Sequence, residues 1–179
     1  MSPSFSPHSG IARSILVTGG ARSGKTAHAQ ALVEASGLTP LYLATGQAGD
    51  DEMADRIAQH RAARGPQWLL CEEPLELAAA LMHESTPQRA ILVDCLTLWL
   101  SNLMLAQRNV EWSTRQLLQV LPALPGPVVF VTNEVGSGIV PDNRLSRDFR
   151  DAQGRMNQEF AKACAGAVLV VCGLAVVLK

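Results

Sequence analysis

The stretch Ile15-Leu16-Val17-Thr18-Gly19-Gly20-Ala21-Arg22-Ser23-Gly24-Lys25-Thr26 constrains the fold more than any other part of the chain. It fits G-x-x-x-x-G-K-[ST], with Gly19, Gly24, Lys25 and Thr26 in the fixed places. The pattern needs a strand before it and a helix after it. Both are present: Ile15 to Val17 is a short apolar run, and Ala27 to Glu34 is helix-like. Glycines allow backbone angles closed to other residues, so N–H groups can turn inward on a phosphate. The helix N-terminus adds partial positive charge at the same place. Lys25 can reach the β- and γ-phosphates, and Thr26 can ligate Mg²⁺. An ordinary glycine-rich turn is the competing reading, and the strand–loop–helix context outweighs it. The chain is read as a nucleoside-triphosphate binder.

A chain of 179 residues suits one domain. Residues 1–14 are expected to be a polar tail and residues 15–179 a single nucleotide-binding catalytic domain. A hydrophobic fraction of 47% against 17% charged residues is globular rather than disordered. The net charge of −1 gives no basic field, so nucleic acid is not an expected partner. Cys71, Cys95, Cys164 and Cys172 lack C-x-x-C spacing. They read as reduced, mostly buried thiols in a reducing compartment, the cytoplasm. Met1 to Ser14 has no apolar core of a signal peptide. The most apolar tract, Ala165 to Leu178, is broken by Gly173 and falls short of a membrane span. It reads as two buried strands.

Further strands are expected at Leu41–Ala44, Trp68–Cys71, Ala90–Asp94 and Pro127–Thr132, then at Val168–Val171 and Ala175–Leu178. Helices are expected from Asp50 to about Ala63, Leu75 to His83, Leu96 to Ala106, Glu111 to Leu121 and Arg144 to Ala165. Alternating strands and helices predict an α/β fold, with a mostly parallel central sheet and helices on both faces. Ligands of such sheets sit at the carboxyl ends of the strands. Thr18–Gly20, Thr45–Gly46, Asp94 and Asn133–Glu134 are therefore expected around one crevice.

Asp94 ends an apolar strand, which is the Walker B arrangement for holding Mg²⁺. The alternative, a cap on the next helix, is the weaker reading beside a phosphate loop. Of the four histidines, His8 and His83 read as solvated and His28 as structural. On a helix advancing about 100° per residue, Arg56, His60 and Arg64 share one face. Arginines on either side of His60 make a phosphate-sized cationic pocket and disfavour imidazolium. A surface histidine among salt-bridging arginines fits the local sequence equally well. Glu134 could be a base, a metal-shell ligand or a turn residue.

These segments together resemble the bifunctional adenosylcobinamide kinase/adenosylcobinamide-phosphate guanylyltransferase family of cobalamin biosynthesis. The residues carrying the resemblance are Ile15–Thr26, Leu41–Thr45, Asp51-Glu52-Met53 with Arg56-Ile57 and His60-Arg61, and Val131–Arg144. Phe149-Arg150-Asp151 and Gly154–Gln158 add to it. The likeness runs from Ile15 to the C-terminus. It implies a three-layer, RecA-like P-loop fold and a homotrimer. It implies two reactions: ATP or GTP phosphorylates the hydroxyl of adenosylcobinamide, then GTP delivers GMP through a GMP–histidine intermediate, giving adenosylcobinamide-GDP and pyrophosphate. Carried onto this chain, the histidine is His60. Nucleotide contacts fall on Gly19 to Thr26, on Ala44, Thr45 and Gly46, on Arg61, Ala62, Ala63 and Arg64, and on Glu72 and Asp94. Gln59 stands where some members carry a second histidine, and Gly65 interrupts the usual Arg-Pro junction.

A monofunctional P-loop kinase of another small hydroxyl substrate is the main alternative. A GTP-binding switch fits poorly. Thr132-Asn133-Glu134-Val135 is not an N-K-x-D guanine reader, and Asp94-Cys95-Leu96-Thr97 lacks the glycine of D-x-x-G.

Overall fold

The computed structural model describes residues 13–46 and 65–179. The expected helix from Asp50 to Ala63, with Arg56, His60 and Arg61 to Arg64, lies outside the described residues. Within them the order is β1 (Ser14–Gly19), α1 (Lys25–Ala35), β2 (Thr39–Ala44), β3 (Leu69–Glu72), α2 (Leu77–Glu84) and β4 (Arg89–Asp94). Then follow α3 (Leu96–Leu105), α4 (Val110–Val120), a single 3₁₀ turn (Leu121–Ala123), β5 (Val128–Asn133), α5 (Arg144–Ala163), β6 (Gly166–Val171) and β7 (Leu174–Val177).

The strands form one sheet in the order β3-β2-β4-β5-β1-β6-β7. All neighbours are parallel except β6 and β7. The inner strands are nearly continuous Val, Ile and Leu, as strands covered on both faces must be. Alternation along each strand sorts these side chains into two cores. Ile15, Val17, Leu92, Val129 and Val131 meet Ala29, Leu32 and Val33 of α1 on one face. Leu16, Ile91, Val93, Val128 and Phe130 meet α2, α3, α4 and α5 on the other. Each fully buried Leu, Ile or Phe in these layers contributes about 1.5–3 kcal/mol. Phe130 and Phe160 pack edge to face with centroids 5.1 Å apart, which fixes α5 against β5. Trp99 is fully buried and satisfies its indole N–H on the Leu75 carbonyl at 2.8 Å. The result is the expected three-layer α/β P-loop arrangement.

One expectation is corrected. The second strand of the apolar C-terminal tract is not buried: β7 is an exposed edge strand, with Leu174 72% and Val176 51% exposed. It is the return arm of a tight hairpin, joined to β6 through Cys172 and Gly173, both at positive φ. Two consecutive positive φ angles match the twist of a two-residue hairpin turn. Among the described residues, no helix is long and apolar enough to cross a membrane.

The cysteines divide in the same way. Cys95 and Cys164 are buried, Cys71 is half-buried and Cys172 is exposed. Burial pushes the Cys95 and Cys164 thiols up to about 12, with the Asp94 charge adding to the effect at Cys95. Thiolate is the reactive form. At pH 8, a chromogenic disulfide reagent should therefore modify Cys172 rapidly in the folded protein. Cys95 and Cys164 should react only after denaturant is added. Rapid reaction of Cys95 in the native protein would contradict the closed packing at the end of β4.

Candidate active site

The strand order puts β5 between β1 and β4, so the carboxyl ends of all three lie side by side. Gly19 pairs with Asn133, Asp94 with Val131 and Ala44 with Asp94. The crevice expected from the sequence is formed there. The loop from Gly19 to Lys25 crosses it and enters α1.

The glycines of that loop are needed for space and for backbone angle. A Cβ at Gly19 would run into the Val170 carbonyl oxygen and sit 2.6 Å from Ser23 Oγ. Gly24 has φ +93°, and a Cβ there would lie 3.3 Å from Gly173 Cα. The β6–β7 turn supports the loop from below, with Gly173 N–H donating to the Ser23 carbonyl at 2.9 Å. Gly24 also precedes α1 without any side-chain cap, whereas Asn109 and Asn143 cap α4 and α5. The first N–H groups of α1 are thus left for an anion. Helix α1 starts at Lys25, two residues earlier than the sequence suggested, which puts Lys25 and Thr26 in its first turn.

Lys25 is buried, and its Nζ donates to the Gly20 carbonyl at 3.0 Å. The ammonium is thereby folded over the loop that would cradle the phosphates. Burial pushes its pKa below the ordinary lysine value, while the fields of Cys95 and Asp94 act upward. Near neutral pH the Cys95 thiol is uncharged, which leaves Asp94 as the countercharge. Asp94 accepts a hydrogen bond from Tyr42 Oη at 2.9 Å, through Oδ2.

Thr26 and Asp94 offer hard oxygen donors, the type that suits Mg²⁺. That ion keeps several waters and takes few protein ligands beside the substrate phosphates. Among the described residues, no cluster of three or more His, Cys, Asp or Glu stands ready to cage a metal. This donor set fits a nucleotide-borne Mg²⁺. Asp94→Asn should raise the Mg²⁺ concentration needed for turnover while the thermal midpoint stays close to wild type. Unfolding of the variant would instead make Asp94 a structural residue of the β4–α3 junction.

The remaining expected contacts spread along the same edge. Thr45 is fully buried. Its hydroxyl donates to the Cys95 carbonyl at 2.8 Å and accepts from the Cys95 N–H at 2.9 Å. Thr45 therefore ties the end of β2 to the end of β4, and its side chain serves that junction. Ala44 pairs with Glu72, which is exposed at the end of edge strand β3. Gly46 packs near Leu98. Glu134 donates its N–H to the Gly19 carbonyl, and its Oε1 accepts from Gly136 N–H at 2.6 Å. Of its three possible roles, the turn-forming one is visible. His28 sits in α1, where burial pushes its pKa down. The contact of Tyr42 with Asp94 was not foreseen in the sequence. A tyrosine within a buried strand looks like core, and only the β2–β4 pairing brings it to Asp94.

The comparisons with known proteins agree with this fold. The family model described as cobinamide kinase / cobinamide phosphate guanyltransferase matches residues 15–178. The bifunctional adenosylcobalamin biosynthesis protein CobP of Pseudomonas aeruginosa is 47% identical over 166 residues, covering 92% of this chain and 96% of that protein. CobU of Salmonella typhimurium, which carries the same description, is 42% identical over 182 residues, covering 92% and 99%. Among solved structures, the flagellar accessory protein FlaH of Methanocaldococcus jannaschii aligns with TM-score 0.53 at 13% identity, covering 94% of this chain and 79% of that one. An ATPase of the type III secretion system of pathogenic bacteria aligns with TM-score 0.58 at 12% identity, covering 94% and 57%. These two likenesses concern the fold alone. The match over nearly the whole chain, with relatives above 40% identity, places this protein in the cobinamide kinase / cobinamide phosphate guanyltransferase family.

Proposed function

We propose that this protein phosphorylates adenosylcobinamide with ATP or GTP and then transfers GMP from GTP to the resulting phosphate. The products of the second reaction are adenosylcobinamide-GDP and pyrophosphate. The observation that carries the reading is the family match over residues 15–178, together with the phosphate loop and Asp94 meeting at one sheet edge.

In the first reaction, the substrate hydroxyl oxygen attacks the γ-phosphorus, and the bond to the β-phosphate oxygen breaks. The loop N–H groups and Lys25 hold the oxygens on which charge accumulates. Thr26 and Asp94 would hold Mg²⁺, which when bound neutralises phosphate charge. In the second reaction, His60 attacks the α-phosphorus of GTP and pyrophosphate leaves. The phosphate of adenosylcobinamide phosphate then displaces the imidazole and takes the GMP. Nucleotide contacts are proposed for Gly19 to Thr26, Ala44 to Gly46, Arg61 to Arg64, Glu72 and Asp94. A cytoplasmic homotrimer is the proposed working form.

The test is direct. The purified protein, Mg²⁺, ATP and adenosylcobinamide should give the phosphorylated corrinoid by mass spectrometry. Later addition of GTP should convert it to adenosylcobinamide-GDP with equimolar pyrophosphate. Phosphorylation without the second step would favour the monofunctional kinase.

A further inference from the structure

β5 is the strand between the phosphate-loop strand and the Asp94 strand, so whatever stands at its tip faces both. That residue is Asn133. Alternation decides where its side chain goes. Leu92 of β4 and Val129 and Val131 of β5 belong to the core on the α1 face. Two residues further on, Asp94 and Asn133 therefore project to that same face, the one on which the phosphate loop enters α1. Asn133 pairs with Gly19, whereas Asp94 pairs with Val131. Asn133 thus stands about 7 Å further toward the mouth of the crevice than Asp94. It is one strand spacing, about 4.8 Å, from the start of the phosphate loop. A triphosphate whose β-phosphate lies in that loop, with its metal near Asp94, would bring its terminal phosphoryl group to this point.

Asn133 is also held with unusual care. Its N–H donates to Thr97 Oγ1 at 2.8 Å, and its carbonyl accepts from Asn157 Nδ2 at 3.0 Å. Asn157 Oδ1 accepts in turn from Thr132 Oγ1 at 2.7 Å and from Gln153 Nε2 at 2.8 Å. Gln153 is fully buried and bonds Thr132 Oγ1 as well, at 3.0 Å. A buried polar cluster is costly unless its members are hydrogen-bonded, and one so bonded rigidifies what it touches; here Gln153 Oε1 has no partner among the described residues. The cluster fixes the backbone of the one residue between the two halves of the nucleotide site. The Asn133 carboxamide itself is half-buried and makes no hydrogen bond among the described residues.

We propose that the Asn133 carboxamide donates a hydrogen bond to the terminal phosphoryl group of the bound triphosphate and is a catalytic residue of the phosphoryl-transfer half-reaction. Thr97, Gln153 and Asn157 are its positioning residues. The donor would stabilise γ-oxygens that gain charge as the bond to the β-phosphate oxygen breaks and the nucleoside diphosphate leaves. It has no part in attack at the α-phosphorus.

The proposal rests on the kinase reading, and the test separates the two. Asn133→Ala and the isosteric Asn133→Asp, which loses the donor, are compared with wild type. Phosphorylation of adenosylcobinamide should lose about 10²-fold in kcat, the scale for removing one preorganised donor, and KM for ATP should rise by no more than the loss of triphosphate affinity. Labelling of the protein by α-labelled GTP should persist in Asn133→Ala. Fluorescent ATP and ADP analogues give a readout free of turnover. The preference for triphosphate over diphosphate should fall by about tenfold, as for loss of a hydrogen bond to a charged group. Unchanged kcat and unchanged preference would leave only a solvated strand-end amide. A fall in thermal midpoint, with both half-reactions lost together, would also overturn the proposal. Failure of the wild type to phosphorylate adenosylcobinamide would sink the kinase reading alone, because the nucleotide preference still tests Asn133.

Discussion

Wild-type protein incubated with α-labelled GTP should acquire acid-labile, alkali-stable GMP on His60, and His60→Ala should abolish both the label and guanylyl transfer. The expectation rests on the family resemblance together with the Arg56–His60–Arg64 pattern, and His60 lies outside the described residues. On the helix expected from the sequence, Arg56 and Arg64 would fall one turn before and one turn after it. Two guanidiniums so placed would disfavour a third positive charge on the imidazole and would bind the anion. The P–N bond formed this way is broken by acid, unlike a phosphate ester on Ser or Thr. Some phosphorylation of adenosylcobinamide should survive in His60→Ala, because the phosphate loop does not use this side chain. Peptide mapping settles the position. Label on Lys25 or His28, or label retained in His60→Ala, would refute the assignment.

Lys25→Ala should lower phosphoryl transfer at least about 10²-fold at saturating nucleotide. Its ammonium sits on the loop's Gly20 carbonyl, within the reach the phosphates would need, and it is buried beside Asp94, where charge acts over low-dielectric surroundings. The thermal midpoint should move little by comparison. The variant loses one hydrogen bond to the Gly20 carbonyl, but it also loses the cost of holding a charge out of water. Activity and stability are expected to part company, and calorimetry beside initial rates would show it. Near wild-type turnover would remove the phosphate loop from the mechanism.

Much of the fold was legible because the inner strands are continuous apolar runs bounded by turn residues, and because α5 is strongly amphipathic. Strand boundaries differ from expectation by one or two residues, as at β1, where Ser14 and Gly19 extend the run. β7 was misread for a physical reason: Ala-Val-Val-Leu has the same composition whether a second face is covered or not. The chemistry-bearing tips were also legible, since Gly19, Ala44, Asp94 and Asn133 each end an apolar run. Their arrangement was not. Tyr42 and Asp94 are 52 residues apart in sequence, and no local pattern joins them. The significance of Asn133 depends on β5 lying between β1 and β4, a fact of strand order that composition does not carry.

The hairpin beneath the phosphate loop has a consequence for synthesis of the chain. Its strand β6 is the neighbour of β1, and the Ala165 N–H meets Ser14 Oγ across 151 residues. The turn that props the loop, with Gly173 on Ser23, follows every helix in chain order, and Lys179 Nζ donates to the Cys164 carbonyl at the end of α5. The phosphate loop thus leaves the ribosome well before the hairpin that props it. Contacts this distant in sequence are slow to form. A nascent chain stalled before β6 should be unable to retain nucleotide, however long its phosphate-loop segment has been outside the exit tunnel.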